Sequence, residues 1–340
     1  MKRTILYVVL AFIVAPIFVS CYQSHKKKLD LAYALVESRP DSALALMKHI
    51  DQEGLSKEEM AKYALTYYIA QDKSGLDLDN DSLIRIAYDW YEGHQEDSLY
   101  VLCLNYMGKF YLLVDSMEQA KSCLEKAYFI SDSLHKMNVK RLVLDKLIEV
   151  EEQLEPYKAL RYAKDMLKMY DSMANVTIYN KVAARLRLGE NFFYVGSLQH
   201  ALEEERKAYR MAMKAGDSNL LSYVRQNLDS TFEEMGEKDS CLYYARLAYD
   251  LNAANRFSCL LTFASAYISV DSLNQAFSLL NQALPKTAED RYSVFYFQSQ
   301  AAMKAQDFKS AKSFSDSAYH YLEDMYRTAL QGKAAYYTSF

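Results

Sequence analysis

Glycine and proline are scarce in this chain, with 9 and 4 residues among 340. Because these two residue types punctuate turns and interrupt regular structure, such a low content favours helices joined by short connections. A β-rich fold of the same length needs many more turn residues. The composition therefore predicts an all-α fold.

An excess of positive charge is also lacking. The formal net charge is −4, and the part of the chain from Cys21 onward carries all of the acidic residues and all but two of the basic ones. Nucleic-acid binding requires a basic face that neutralises phosphates. The tight basic cluster 26–28 lies beside a hydrophobic N-terminal segment. We therefore expect no nucleic-acid partner.

Motifs of catalysis and of metal binding are missing too. The 6 histidines show no HExxH or other ligand spacing. The chain has no glycine-rich phosphate loop and no GxSxG nucleophile elbow. We expect a protein that is not an enzyme, with no cofactor and no metal site.

The N-terminal segment has the layout of an export signal. Two basic residues precede an apolar stretch from Thr4 to Val19, and Ser20-Cys21 follows it. This layout resembles a bacterial lipobox, although Phe18 stands where leucine is usual. The resemblance implies a signal peptide over 1–20, a lipid on Cys21 and a tether over 21–28. The alternative is a retained transmembrane anchor, for which the stretch is slightly short.

The segment after Cys21 bears on localisation. No acidic residue follows Cys21 directly, since the next four residues are Tyr-Gln-Ser-His. We expect a membrane-anchored lipoprotein of the cell envelope that faces the periplasm. The other four cysteines show no CxxC spacing and fall at core-like positions, which predicts buried free thiols: Cys103, Cys123, Cys241 and Cys259.

A repeat organises the rest of the chain. Its clearest copy has Met107-Gly108 and Tyr111 in a first helix, and Ala120, Leu124 and Ala127 in a second. Small residues in such a pattern sit where two helices cross closely. The position that Ala120 occupies in the second helix recurs every 35 to 42 residues, in the series Ala43, Leu83, Ala120, Ala159, Ala201, Cys241, Ala276 and Ala311.

This pattern resembles the tetratricopeptide repeat, a helical hairpin of about 34 residues whose two helices are called A and B here. The resemblance implies a right-handed superhelical solenoid of about eight hairpins over 29–319 and a C-terminal capping helix over 320–340. One copy departs from the pattern, because Glu205 stands where a large apolar residue is expected.

Residues typical of helix N-termini support the same assignment of helix positions within the repeat. Ser56 precedes Glu59 by three residues, and Ser116 with Gln119 and Ser272 with Gln275 repeat that spacing. A serine followed three residues later by Glu or Gln predicts a capping box at a helix N-terminus.

The order of short motifs in 39–46, 61–65 and 81–84 is similar to that in Bacteroidota-type tetratricopeptide-repeat lipoproteins and in the N-terminal sensor region of membrane regulators with such repeats. Many of those proteins continue into a transmembrane helix and an output domain. The resemblance leaves two possibilities open, a stand-alone scaffold and the outer part of a longer regulator.

The resemblance also implies a binding groove. Positions 2, 5, 9 and 12 of helix A face inward in such repeats, and the 30 tyrosines supply amphipathic rings for contacts. We expect a protein or peptide partner in this groove. The alternative is a glycan-binding lipoprotein of a nutrient-uptake system. The candidate groove residues are Asn105, Lys109, Phe193, Tyr223, Gln226 and Tyr296.

Overall fold

A computed structural model describes residues 26–76, 78, 81–94, 98–134, 137–251 and 254–338. Within these ranges the chain forms sixteen helices and no strand, which confirms the all-α prediction. The first eight are α1 (26–35), α2 (Pro40–Met47), α3 (Lys57–Lys73), α4 (Ser82–Tyr91), α5 (Ser98–Leu113), α6 (Met117–Ser133), α7 (Met137–Leu154) and α8 (Pro156–Ser172). The others are α9 (Ile178–Tyr194), α10 (Leu198–Ala215), α11 (Ser218–Glu234), α12 (Lys238–Asp250), α13 (Arg256–Ser269), α14 (Leu273–Leu280), α15 (Ala288–Lys304) and α16 (Phe308–Thr338).

The helices belong to two compact units, which divide within α7 between Lys146 and Leu147. In the first unit α2 through α6 pack in sequence, each against the next. In the second unit α8 through α15 do the same, and the odd-numbered helices α9, α11, α13 and α15 also contact one another in order. Odd-numbered helices are therefore the A helices, and even-numbered helices are the B helices of eight hairpins.

The small residues of the B helices lie in the core, as predicted. Seven members of the series are at most 2% exposed: Ala43, Ala120, Ala159, Ala201, Cys241, Ala276 and Ala311. The eighth was assigned one residue too early. Leu83 is only half-buried, whereas Ile84 is fully buried. The buried face of α4 continues through Ala87 and Tyr91, which fixes the register on Ile84.

Close crossings of the A and B helices explain the glycines of the repeat. A Cβ atom on Gly108 would lie 2.6 Å from Cγ of Leu124, and one on Gly189 would lie 3.2 Å from Cγ of Glu205. At Gly108 any larger residue would force Leu124 or its helix to shift, whereas at Gly189 the side chain of Glu205 would have to yield by a few tenths of an ångström.

Six A helices end in the same turn. The second residue after each of these helices adopts a left-handed conformation, at Gly75, Asp115, Gly196, Gly236, Asp271 and Gln306. In one of these turns the N–H of Gly196 donates to the carbonyl of Phe193 at 2.8 Å, and the N–H of Ser197 donates to that of Phe192 at 2.8 Å. This pair of hydrogen bonds is the Schellman motif, which satisfies carbonyls at a helix C-terminus.

Of the three predicted capping boxes, one is confirmed and two are wrong. Ser56 and Glu59 form a complete capping box at the start of α3. Ser116 and Ser272 are N-cap residues, but neither side chain accepts a capping hydrogen bond. The backbone N–H of Ser116 already donates to the carbonyl of Tyr111, so no donor remains for Gln119. The ψ angles of Ser116 and Ser272 are 69° and 61°. Ser56 instead has an extended ψ of 165°, and its hydroxyl accepts a hydrogen bond from the backbone N–H of Glu59 in the first turn of α3.

Cys103, Cys241 and Cys259 are buried free thiols, and Cys123 is a half-buried one. The signal peptide over 1–20 and the lipid on Cys21 fall outside the residues that the structure describes. Among those it describes, no helix combines the length and apolarity needed to cross a bilayer. Helix α16 runs unbroken from Phe308 to Thr338, so the boundary at 319/320 lies within a helix.

Candidate binding surface on the A helices

Two of the predicted groove residues are engaged inside the first unit. Asn105 is only 6% exposed. The ammonium of Lys109 is bound by the carboxylate of Asp72 at the end of α3. Because one is buried and the other is paired, we do not include either in the surface described below.

The other four predicted residues lie in the second unit. Tyr223 on α11 and Tyr296 on α15 are 48% and 43% exposed. Gln226 on α11 and Phe193 on α9 are half-buried. Together with the exposed or half-buried side chains beside them on α9, α11, α13 and α15, they form what we call the A-helix surface: Glu190, Phe193, Tyr194, Tyr223, Gln226, Ser230, Glu233, Ser258, Ser265 and Tyr296.

Side-chain hydrogen bonds between neighbouring A helices fix part of this surface. The hydroxyl of Ser258 on α13 donates to Oε1 of Gln226 at 2.6 Å, and that of Ser265 donates to Glu233 at 3.3 Å. With its oxygen held by Ser258, the amide NH₂ group of Gln226 keeps a fixed orientation. It makes one long contact of 3.4 Å to the carbonyl of Ser222.

One end of the surface is lined by carboxylates. Asn191 on α9 donates to Glu152 on α7 at 2.9 Å. The guanidinium of Arg187 lies 3.5 Å from Glu152 and 3.6 Å from Glu190. Burial and the charges of Glu152 and Glu190 raise the pKa of Tyr194, whose side chain is 58% exposed. Two carboxylates and an exposed aromatic ring therefore meet at this end.

Two carboxyl groups lie beneath the surface. Glu205 is 1% exposed, and burial raises its pKa to about 7, with a smaller contribution from the charge of Glu190. Asp229 is 2% exposed, and burial again raises its pKa to about 7, with a contribution from Glu233. The desolvation of a buried carboxylate favours its neutral form.

Each of the two carboxyl groups has a hydrogen-bond partner. Thr231 donates to Oε1 of Glu205 at 2.8 Å, and the thiol of Cys241 donates to Asp229 at 3.0 Å. Glu205 was noticed in the sequence because it breaks the repeat pattern. Asp229 was missed, although it occupies the position of Gly108 and Gly189 in its own repeat.

Asp229, Glu233 and Cys241 bring their potential ligand atoms within 4.8 Å of one another. Metal binding at such a group requires the thiolate form of the cysteine. Burial and the neighbouring carboxyl of Asp229 raise the pKa of Cys241, which keeps its thiol protonated as the donor to Asp229. In this pair the thiol of Cys241 is therefore the hydrogen-bond donor and the carboxyl group of Asp229 is the acceptor.

Comparisons with known proteins show which solved structures have a similar fold. No family model and no curated protein matches the chain. Among solved structures, the apo form of RapI is similar with a TM-score of 0.67, at 14% identity over 88% of this chain and 86% of RapI. A Rap protein complexed with competence and sporulation factor gives 0.61, at 15% identity over 92% and 94% of the two chains.

NprR in complex with its cognate peptide NprX gives a TM-score of 0.59, at 16% identity over 86% of this chain and 87% of NprR. These similarities agree with the paired helices and the buried small residues described above. The fold is a tetratricopeptide-like helical solenoid. At such low sequence identity the similarity concerns the fold alone.

Proposed function

We propose that the chain is a non-enzymatic interaction scaffold or sensory module that binds a peptide, or an extended segment of a protein partner, on the A-helix surface. The observation that carries this proposal is the oriented amide of Gln226 on α11, with one exposed tyrosine on α11 and another on α15. Two exposed rings lie on α11 and α15, and between them Ser258 on α13 holds the amide of Gln226. Rings contribute contact area, and an oriented amide pairs with a peptide backbone.

Similar structures lend support to this proposal. NprR was solved with a cognate peptide, and one Rap protein was solved with competence and sporulation factor. Proteins that share this fold have therefore been solved with such ligands bound. Among the described residues, the two carboxyl groups whose pKa burial raises to about 7 are enclosed and hydrogen-bonded to Thr231 and Cys241, so neither is presented to a ligand on the A-helix surface.

We also propose that the protein acts at the cell envelope, anchored through a lipid on Cys21 and facing the periplasm. This part rests on the N-terminal sequence pattern alone. Replacement Cys21→Ser tests it. We expect loss of the lipid from the mature mass and release from the membrane fraction, and an unchanged mass and membrane retention would refute the anchor.

Site-specific photocrosslinking tests the binding surface. A photoreactive amino acid in place of Tyr223 or Tyr296 is expected to capture a partner from envelope fractions. The matched control is Tyr243 on α12, which is 59% exposed but belongs to a B helix. Capture that is equal at Tyr243 and Tyr223 would contradict the proposal.

A second test uses the triple variant Tyr223→Ala, Gln226→Ala and Tyr296→Ala. These side chains are exposed or half-buried, so the variant is expected to fold and to bind the captured partner at least tenfold more weakly. A panel of soluble polysaccharides in the same assay separates the peptide proposal from the glycan alternative. Binding of a polysaccharide that is lost in the triple variant would favour the alternative.

A further inference from the structure

The B helices α8 and α10 each carry a stripe of exposed basic side chains. Residues three or four positions apart lie on the same side of a helix, and the members of each stripe follow this spacing. We call the two stripes together the basic face. It consists of Arg161, Lys164 and Lys168 on α8 and of Arg206, Arg210 and Lys214 on α10.

Contacts across α9 join the two stripes. The ammonium of Lys164 lies 5.2 Å from the centroid of the Phe192 ring on α9, and that ring stacks on His200 of α10 with a centroid distance of 5.1 Å. His200, Arg206 and Arg210 in turn line one groove of about 330 Å³. All of these residues belong to the second compact unit, so the two stripes form one continuous surface.

The six cations of the basic face form no ion pair with any carboxylate in the part of the chain that the structure describes. The exposed and half-buried carboxylates of α10 pair with other cations. Glu204 lies 2.8 Å from Arg185 and 2.6 Å from Lys207, and Glu203 lies 3.0 Å from Lys207. In α8 with its N-cap residue, in α10 outside its buried carboxyl group, and with Arg185 included, nine basic residues stand against five acidic ones. This region is therefore positive, although the formal net charge of the chain is −4.

Exposed uncharged side chains accompany these cations. Tyr157 is 76% exposed and lies four residues before Arg161, on the same side of α8. Met213 is 51% exposed and precedes Lys214 on α10. Tyrosine rings and apolar side chains among basic groups suit the interface of a bilayer, where phosphate head groups lie above hydrocarbon. Ion pairs with an acidic polypeptide would leave these uncharged groups in water.

We propose that the basic face binds the anionic surface of a phospholipid bilayer, with its lysine and arginine side chains at the phosphate groups and Tyr157 at the interface. Each basic side chain near an anionic membrane increases binding several-fold, and six of them act together here. The inference goes beyond the proposed peptide surface, because it concerns B helices and not A helices. It also does not depend on a lipid at Cys21, which would only hold the face near the bilayer.

Lysine acylation read by mass spectrometry tests this proposal on the native full chain. The chain is added to vesicles of phosphatidylcholine alone or with about one third phosphatidylglycerol, and the acylation rate of each lysine is compared. We expect the anionic lipid to slow acylation of Lys164, Lys168 and Lys214 about threefold or more, and high salt to remove this protection. Lys57 on α3 and Lys312 on α16 are exposed outside the face and should change less. Equal acylation rates of the three face lysines in both kinds of vesicle would overturn the proposal.

Two matched double variants assign the protection to the face. Lys168→Gln with Arg210→Gln removes two cations of the face, and Lys57→Gln with Lys312→Gln removes two exposed cations elsewhere. Both variants lose the same charge and change only exposed side chains, so both are expected to fold. Protection of Lys164 by the anionic lipid should be lost in the first variant and kept in the second. Protection that is the same in both variants would contradict the proposal.

Two other outcomes separate the basic face from an acidic partner and from the lipid anchor. A peptide of glutamates that slows acylation of the face lysines when phosphatidylglycerol does not would assign the face to an acidic polypeptide and overturn the bilayer proposal. In Cys21→Ser the protection by phosphatidylglycerol should persist, and this result supports the face even where the anchor itself is refuted. Protection that disappears in Cys21→Ser would show that the face has no affinity of its own, which overturns this inference and leaves the anchor intact.

Discussion

The carboxyl group of Glu205 on α10 accepts a hydrogen bond from the hydroxyl of Thr231 on α11 at 2.8 Å, and this links two successive hairpins. Glu205 occupies the position that Leu124 occupies two hairpins earlier, opposite a glycine of helix A in both cases. A titratable group thus replaces a core leucine at 1% exposure. Its pKa of about 7 makes the stability of this region depend on pH.

The first prediction concerns that pH dependence. The folded-state pKa of Glu205 lies above the ordinary glutamate value of 4.5, so the folded state binds the proton more tightly than the unfolded state. The stabilisation is therefore present below pH 4.5 and is lost as pH rises to about 7. At about 1.4 kcal/mol per pH unit, Glu205 alone accounts for about 3 kcal/mol.

Denaturant titrations between pH 5 and pH 8 measure this loss. Asp229 has the same direction of shift and adds to the slope. Glu205→Gln should reduce the slope, and Glu205→Gln with Asp229→Asn should nearly abolish it. Glu203→Gln is the matched control on the same helix and should leave the slope unchanged. A slope that survives in the double variant would contradict the assignment.

The second prediction concerns the close crossing at Gly108. A Cβ atom there would lie 2.6 Å from Cγ of Leu124, so Gly108→Ala forces the two helices apart. We expect a loss of about 1 to 3 kcal/mol in the free energy of unfolding. Gly54→Ala, where a Cβ atom meets nothing within 4 Å, is the control and should be nearly neutral.

A double-mutant cycle separates the clash from other effects. If overpacking is the cause, Leu124→Ala removes the atoms that collide, and Gly108→Ala should cost little in that background. Additive losses in the double variant would point to another cause.

The sequence was sufficient to predict the packing of the repeat because packing repeats along the chain. Small residues at the helix crossing recur every 35 to 42 residues, and seven of the eight predicted positions lie in the core. The prediction for the eighth position was wrong by one residue, because Leu83 and Ile84 are both apolar and the sequence did not show which of them faces the core. Burial of Ile84 decided it.

The side-chain contacts of the candidate residues were harder to predict, because some of them join residues of different helices or repeats. Lys109 pairs with Asp72, which is 37 residues earlier. Asp229 occupies a glycine position, and the small Ala245 stands four residues after Cys241 where Leu124 stands four residues after Ala120. This compensation joins the two helices of one hairpin, so the pattern of either helix taken alone does not show it.

The third prediction uses the left-handed turn at Gln306. Its φ of 59° is strained for a residue with a Cβ atom, and glycine occupies the same position after α9 and α11. Gln306→Gly should therefore raise the free energy of unfolding by up to about 1 kcal/mol. Thermal or denaturant unfolding measures the gain.

Ala305→Gly is the control for this turn. Ala305 has a φ of −73°, so glycine relieves no strain there and should lower stability by about 0.5 to 1 kcal/mol. If Gln306→Gly destabilises the chain as much as Ala305→Gly does, strain at Gln306 is not the relevant property.

The fourth prediction separates the role of Lys109 from ligand binding. The carboxylate of Asp72 is 16% exposed, and Lys109→Met leaves this charge without its cation. We expect a loss of about 1 to 2 kcal/mol in stability, because removing one partner of a partly buried pair leaves the other uncompensated. Peptide binding by the A-helix surface should not change.

Lys73→Met is the matched control, since its side chain is 31% exposed against 29% for Lys109, but its partner Glu37 is 60% exposed. A well-solvated pair contributes little, so this variant should lose less than about 1 kcal/mol. The triple variant of Tyr223, Gln226 and Tyr296 should behave in the opposite way, with stability retained and binding lost. A Lys109→Met protein that folds normally and loses its partner would return Lys109 to the binding surface.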